Sequence, residues 1–332
     1  MKKKARRSPA DKAHESNASA AEMDAILLHR FGGPEGLRLE RVERPVPGSG
    51  QLLIKVRTAS VNPVDCKIRA GKFKMFRPQL PAIIGRDMAG TIEAVGPKSS
   101  GRFKAGDEVF GMLDYPRGAY AEYTLATPRE LARRPAKVSP NEAGALGVAA
   151  LTAWQGLFDH GHLKSGERVV IHGAAGGVGH LAVQFAKWRG AVVIATAGPD
   201  DLGWVKGLGA DRVIDYKNQL FENEAGNVDL VYDLISGETL DRSWQILKEK
   251  GGRIVSTLDH PLAHQQARRH SATWMHMMVT ANSRQLSQIA GLIAAGDVRV
   301  HLDEVFPLKN VREAHKQVEK GHVRGKVLLK VQ

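Results

Sequence analysis

The chain reads as an α/β protein: a mainly β domain, then a parallel, doubly wound sheet, then strand-like pieces that return towards the first domain. Three observations predict this. Short, partly alternating runs broken by Gly and Pro occupy the stretch from Met23 to about residue 126. From Arg168 onwards, apolar strands alternate with helical stretches, the signature of a parallel sheet. Between the first strand and first helix of that alternation stands "HGAAGGVG" (172–179), almost all glycine and alanine.

Size and composition permit such a molecule. At 332 residues and 42 % hydrophobic content, the chain can bury a substantial core and divide into two domains. No apolar run reaches membrane-spanning length, and no hydrophobic segment follows the basic N-terminal residues. The expectation is a soluble, cytoplasmic protein with no membrane partner. A single cysteine, Cys66, rules out an intramolecular disulfide and any cysteine-rich zinc lobe.

The first segment, "MKKKARRSPADKAHESNASAAE" (1–22), holds charge, Ala and Ser with little that could pack, and reads as a disordered basic tail. It carries a net +3 of the chain's formal +13, so the body itself is basic by +10. A surplus of that size attracts anions: phosphorylated cofactors, or nucleic acid as a rival partner.

"MDAILLH", "LRLERVERP", "GQLLIKVRTASVNP" and "MAGTIEAVG" then read as strands, continued by "GDEVFGM" and "GAYAEYTLA". Around "SPNEAGALGVAALTAWQGLFDH" the period becomes helical, which suits a crossing between domains. A strand at 168–172, a helix at about 180–189 and a strand at 191–196 follow. Next come a helix at about 202–208 and strands at "RVID", "VDLVYD" and "GRIVST", with the helix "ETLDRSWQILK" between the last two. After "WMHMMVT", the helix "QLSQIAGLIAAG" leads to "HLDEVFPL" and "GKVLLKV".

The glycine spacing is Gly173-x-x-Gly176-x-x-Gly179, with Ala174, Gly177 and Val178 between. Glycines allow the tight turn and let backbone approach a pyrophosphate, and the last lets helix and strand pack closely. Free amides at the helix start favour phosphate. In a strand–turn–helix–strand context, this pattern predicts a dinucleotide site; a merely tight turn is the plain alternative. The second strand ends at Thr196, Ala197 and Gly198, where an NAD enzyme usually carries Asp or Glu for the ribose 2′-hydroxyl. Its absence leans towards NADPH. Asp200 and Asp201 follow at once, so NADH stays open.

From Met23 to the C-terminus the chain resembles the medium-chain dehydrogenase/reductase superfamily, in its zinc-free quinone reductase and enone (alkenal) reductase branch. "ASVNPVDCKIRAGKFK" (59–74), "IIGRDMAGTIEAVG" (83–96), "HGAAGGVG" (172–179), "LGADRVIDY" (208–216) and "GHVRGKVLL" (321–329) carry the resemblance. It implies a GroES-like mainly-β catalytic domain split by an inserted Rossmann domain. The corresponding divisions are 23–148 for the first part of the catalytic domain, 149–285 for the nucleotide-binding domain and 286–332 for the return. It also implies a cleft between the domains as active site, and a homodimer.

Alcohol dehydrogenases of the superfamily carry a catalytic His directly after the glycine that Gly85 matches, and this chain has Arg86 there. Arg donates but cannot ligate zinc, and a lone Cys66 lacks partners. The histidines of "DHPLAHQQARRH" and "WMHMMV" read as loop and strand residues rather than ligands. No metal is expected.

Without a Lewis acid, the acceptor must take hydride directly, as quinones and α,β-unsaturated carbonyls do. The oxygen that gains negative charge then needs a placed donor or cation. Asn62 and Lys67, in "NPVDCK", match positions that lie beside nicotinamide and substrate in this branch. Lys67 would supply charge or a proton, and Asn62 an amide donor. Alternatively Asn62 shapes a turn and Lys67 faces solvent. By the same resemblance Thr152 lies near the nicotinamide, Asn282 in the loop that closes over the cofactor, and Tyr216 on the adenosine side; helix, turn and packing roles are their alternatives. Asp87 is expected to hold backbone, and Tyr120 and Tyr123 to belong to the core. Many NADPH-using relatives place a basic residue where this chain has Asp201, which leaves Lys217, Arg189 or Arg324 to replace it.

The expected activity is therefore NADPH-dependent reduction of quinones or enones. Two alternatives remain: a 2-enoyl-thioester reductase, or a non-catalytic NADP-sensing or RNA-binding relative that uses the basic body. Few aromatics are available to stack bases.

Overall fold

The computed structural model describes residues 21–99 and 101–332. The expected tail lies outside the described residues except for its last two positions, and Glu22 already belongs to the first strand.

Strands β1 (Glu22–Leu28), β2 (Leu37–Glu43) and β3 (Leu52–Val61) are followed by the short helix α1 (Pro63–Arg69). Then come β4 (Ala82–Ile83), β5 (Asp87–Val95), β6 (Glu108–Met112), β7 (Tyr123–Ala126) and β8 (Leu131–Arg133). Their side chains alternate as the sequence pattern requires: in β3 Ile54 and Val56 are fully buried while Lys55 and Arg57 are exposed. One sheet runs β2–β1–β4.

The helical crossing resolves into α2 (Pro140–Gly144), α3 (Gly147–Trp154) and a π-helical turn, Gln155–His160. Ser139 caps α2 with its hydroxyl on the Glu142 amide, and the Glu142 carboxylate reaches back, a capping box.

Next, β9 (Arg168–Ile171), α4 (Gly179–Trp188), β10 (Val192–Ala197), α5 (Leu202–Gly207), β11 (Arg212–Asp215), α6 (Phe221–Glu224), β12 (Leu230–Asp233), α7 (Glu238–Ser243), β13 (Arg253–Ser256), α8 (Ala263–Arg269) and β14 (Thr273–His276) form the α/β unit. Its six strands, ordered β11–β10–β9–β12–β13–β14, all pair in parallel. The order reverses beside β9. In such sheets, ligands bind at that switch point, outside the carboxyl ends of the strands. The stretch "DHPLAHQQARRH", expected as a loop, contains α8. Ala263 and Ala267 sit four apart and pack into the core, so one narrow apolar stripe suffices to seat a helix whose other faces are polar.

Finally, α9 (Ser283–Ala295), β15 (Leu302–Pro307), α10 (Val311–Lys320) and β16 (Lys326–Lys330) complete the chain. β16 pairs antiparallel with β3, and the second sheet reads β15–β16–β3–β5–β6–β8, with β7 on β3. The C-terminal strand thus lies inside the first domain's sheet, between β15 and β3, next to the segment that leads into α1. Among the described residues no helix is long and apolar enough to cross a membrane.

Candidate active site

A cavity of about 740 Å³ separates the two units, and the glycine turn forms one wall of it. Gly173 leaves β9 with φ +69°, a backbone that favours glycine. A Cβ on Gly179 would stand 2.2 Å from the Gly173 carbonyl oxygen, so helix α4 starts against its own turn with no room for a side chain. Gly176 differs: a Cβ there would meet only the Gly173 oxygen, at 3.4 Å, so its small size leaves room in the cavity rather than in the fold.

Among the described residues, the amides of Ala175, Gly177 and Val178 donate to no backbone acceptor. They stand at the N-terminus of the ten-residue helix α4, where unpaired N–H groups and the helix dipole attract anions. This donor set fits a pyrophosphate. Two buried histidines brace it. His180 Nδ1 lies 3.1 Å from the Gly176 oxygen, while His172 Nδ1 and Nε2 lie 3.1 Å from Thr196 Oγ1 and 3.0 Å from Ser243 Oγ. Burial lowers both pKa values to about 4, so both rings are neutral at physiological pH.

Of the residues singled out in the sequence, Asn62, Lys67, Thr152, Gly173, Gly176, Gly177, Val178, Gly179, Thr196, Ala197, Gly198 and Tyr216 are all brought to this cavity. Two are not. The side chain of Ala174 is fully buried in the hydrophobic core, because the turn points it away from the cleft. Asn282 caps α9 by accepting from the amides of Arg284 and Gln285, and Met277, Met278 and Val279 line the wall in its place.

Opposite the turn, a buried polar network ties α1, β5 and β16 together. Asp87 is fully buried. Its Oδ2 accepts from Ser60 Oγ at 2.7 Å and Asn62 Nδ2 at 2.9 Å, and its Oδ1 accepts from the Val148 amide at 2.5 Å. The backbone-holding role expected of Asp87 is the one this geometry gives. Lys326, 3 % exposed, donates to Asn62 Oδ1 at 2.5 Å and lies 3.4 Å from Asp87 Oδ2. Asn62 Nδ2 also lies 3.3 Å from Asp65 Oδ2. The Asn62 amide is therefore committed within the protein on both of its ends, and it positions rather than offers a free donor.

Lys326 was not singled out in the sequence, though it stands in the quoted "GKVLL". Its only signal there is a lysine opening an apolar strand; its partners come from positions more than 200 residues away. Burial drives the Asp65 carboxyl up to about 7, a shift that the Asn62 amide hydrogen bond and the Lys326 and Arg86 charges only partly oppose.

Lys67 is different. It lies on α1, is exposed, lines the cavity and forms neither ion pair nor side-chain hydrogen bond among the described residues. Thr152 donates to the Val148 oxygen at 2.6 Å, which leaves its own oxygen able to accept. Cys66 turns away towards α10, with Sγ 3.3 Å from His315 Nδ1, and burial pushes its thiol up to about 12. Tyr120 is fully buried, as expected of a core residue.

At the far end, Arg324 Nε binds Asp201 Oδ1, and Arg324 Nη2 donates to the Asp200 oxygen at 2.5 Å. The loop before β16 thus clamps the segment after β10. Its neighbour Gly325 donates to the Ala175 oxygen at 3.0 Å, which joins the same loop to the glycine turn. Of the three basic residues considered beside Asp201, Arg324 is the one that touches it. No group of three or more His, Cys, Asp or Glu side chains arranged to hold a metal occurs among the described residues.

Comparison with known proteins agrees with this architecture. Residues 48–136 match the family described as alcohol dehydrogenase GroES-like domain, and residues 208–329 match one described as zinc-binding dehydrogenase. The chain is 35 % identical to the 2-methylene-furan-3-one reductase of Solanum lycopersicum, over 93 % of this chain and 79 % of that protein. It is 33 % identical to the NADPH-dependent alkenal/one oxidoreductase of Arabidopsis thaliana, again over 93 % and 79 %. The solved structure of the quinone oxidoreductase from Coxiella burnetii superposes with a TM-score of 0.88 at 35 % identity, covering 94 % of this chain and all of that one.

Proposed function

This chain belongs to the medium-chain dehydrogenase/reductase superfamily, in its quinone and alkenal/one oxidoreductase branch, and we propose that it reduces enones or quinones with NADPH and without a metal. One observation carries the reading. A single cavity has unbonded amides of a helix N-terminus at one end, and a cationic, otherwise apolar chamber at the other.

The amides of Ala175, Gly177 and Val178 would hold the pyrophosphate, and Thr196, Ala197, Gly198 and Tyr216 the adenosine ribose side. Bound there, the dinucleotide supplies a hydride. A conjugated acceptor takes it at the carbon β to its carbonyl, and the displaced electron pair passes to oxygen. Lys67, with no partner of its own among the described residues, faces that growing charge and delivers the proton that completes the reduction. Lys326, Asp87 and Asn62 fix the start of α1, so that Lys67 extends from a rigid base.

Arg324 supports the choice of NADPH. It is paired with Asp201 just after β10 and offsets that carboxylate's charge, and no carboxylate stands at Ala197 or Gly198 to repel a 2′-phosphate. Arg86 supports the metal-free reading, because a guanidinium donates hydrogen bonds and holds no metal. Steady-state oxidation of NADPH and NADH with a quinone and a neutral 2-alkenal tests the proposal. Turnover with a lower KM for NADPH is expected; folded protein that reduces neither acceptor would refute it.

A further inference from the structure

We propose that Arg86 anchors a carboxylate on the substrate, so that the preferred acceptors are α,β-unsaturated carbonyl compounds that also bear an acid group. This rests on the reductase reading above and narrows its substrate class.

Arg86 precedes β5 and is 5 % exposed, yet it lines the cavity. Its Nε donates to the Leu113 oxygen at 3.0 Å, and its Cζ sits 4.6 Å over the Tyr115 ring. Tyr115 is itself stacked on Phe76 at 4.1 Å and leans on Phe73, a residue of the cavity wall. The guanidinium plane is thus held from behind by a carbonyl and an aromatic face.

Its front is unfinished. Among the described residues neither Nη1 nor Nη2 makes a hydrogen bond to the protein. The nearest carboxylate, Asp114, is 3.8 Å from Nη2 and is already paired with Arg129. An arginine cannot shed its proton to escape burial, and with Asp114 shared and no hydrogen bond from Nη1 or Nη2 among the described residues the guanidinium keeps capacity for a further anion. Among the side chains that line the cavity, the one carboxylate is Asp201, which Arg324 occupies. Two parallel N–H groups in a rigid fork match the two oxygens of a carboxylate, and a carbonyl oxygen would use only one of them. The apolar residues Val61, Val64, Phe73 and Met278 leave room for the carbon skeleton between that anchor and the hydride donor.

The matched probes are trans-4-oxopent-2-enoate and its methyl ester; the ester is the more electrophilic alkene, so the anchor is read in KM and in how the acid-to-ester ratio changes on substituting Arg86. In the acid, hydride from NADPH forms the new C–H bond at the carbon β to the ketone and a proton is added at the α carbon, which gives 4-oxopentanoate and NADP⁺. In wild-type protein the KM for the acid should lie below that for the ester by about tenfold or more. Arg86→Gln should erase that ratio. Arg86→Lys, which keeps the charge but loses the fork, should fall between. Calorimetry of 4-oxopentanoate with the NADP⁺-loaded protein should detect binding in the wild type and none in Arg86→Gln, a readout independent of turnover. An acid-to-ester KM ratio that Arg86→Gln leaves unchanged overturns the anchor and leaves the reductase standing, as does reduction of neutral alkenals with no reduction of either probe. If no conjugated acceptor at all is reduced, the reductase reading falls and the anchor with it.

Discussion

The ammonium of Lys326 donates to Asn62 Oδ1 at 2.5 Å, and so ties the last strand of the chain to the start of the helix that carries Lys67. It also stands 3.4 Å from the fully buried Asp87 carboxylate, for which it is the paired cation. Removing one partner of such a pair leaves an uncompensated charge in the interior. Lys326→Met should cost about 3–5 kcal/mol in denaturant unfolding. The conjugate pair of changes, Lys326→Met with Asp87→Asn, should recover part of that loss.

Lys67 should matter to chemistry rather than to the fold. It is exposed, and it has no partner among the described residues to lose. Lys67→Ala should lower kcat with a neutral enone by about 10- to 100-fold, leave the dissociation constant for NADPH close to that of the wild type, and leave the melting temperature unchanged. An unchanged kcat would remove it from the mechanism.

Gly176 separates cofactor binding from folding. Its backbone is not in the left-handed region, and an added Cβ meets only one atom at 3.4 Å. Gly176→Val should therefore fold with a melting temperature near the wild type while weakening NADPH binding by about tenfold or more in calorimetry. Gly179→Ala should instead lower the melting temperature, since its Cβ meets backbone at 2.2 Å.

Arg324 should tell the two cofactors apart. Arg324→Ala removes a cation and frees the Asp201 carboxylate on the cavity wall. A charge-assisted hydrogen bond lost there should raise the KM for NADPH by about 10- to 100-fold and change that for NADH far less. Equal effects on both cofactors would place Arg324 in closure of the loop instead.

The pH dependence of stability has two opposing parts. His172, His180 and His315 are held neutral by burial, with pKa values lowered to about 4, 4 and 3, so the unfolded chain binds more protons below about pH 6.5 and stability falls on acidification. Asp65 acts in reverse. Its pKa is raised to about 7, so the folded state holds the proton between about pH 4 and 7, and its contribution falls as pH rises through that window. Asp65→Asn should therefore lose stability more steeply than the wild type between pH 7 and 4, measured by thermal unfolding across that range.

Much of the fold was legible because it rests on local rules. The βαβ alternation, the glycine turn and the missing carboxylate after β10 are all short-range patterns, and they located eight cavity residues, while the family resemblance supplied Asn62, Lys67, Thr152 and Tyr216. What stayed hidden is long-range. Lys326 finds Asn62 across 264 positions and Arg324 finds Asp201 across 123, and no periodicity reports such meetings. Asn62 looked like a donor because its residue type is one; only the arrangement of Asp65, Asp87 and Lys326 around it shows that its hydrogens are spent. Ala174 shows the converse, since membership of a motif does not decide which way a side chain turns.

The most direct measurement follows the transferred hydrogen itself. Protein is incubated with NADPH deuterated at nicotinamide C4 and a neutral 2-alkenal or enone, and the product is read by mass spectrometry and NMR. The account predicts deuterium at the carbon β to the carbonyl, with one NADPH consumed for each double bond reduced. Folded protein that binds NADPH yet leaves the alkene unlabelled and intact, with quinones untouched as well, would contradict it.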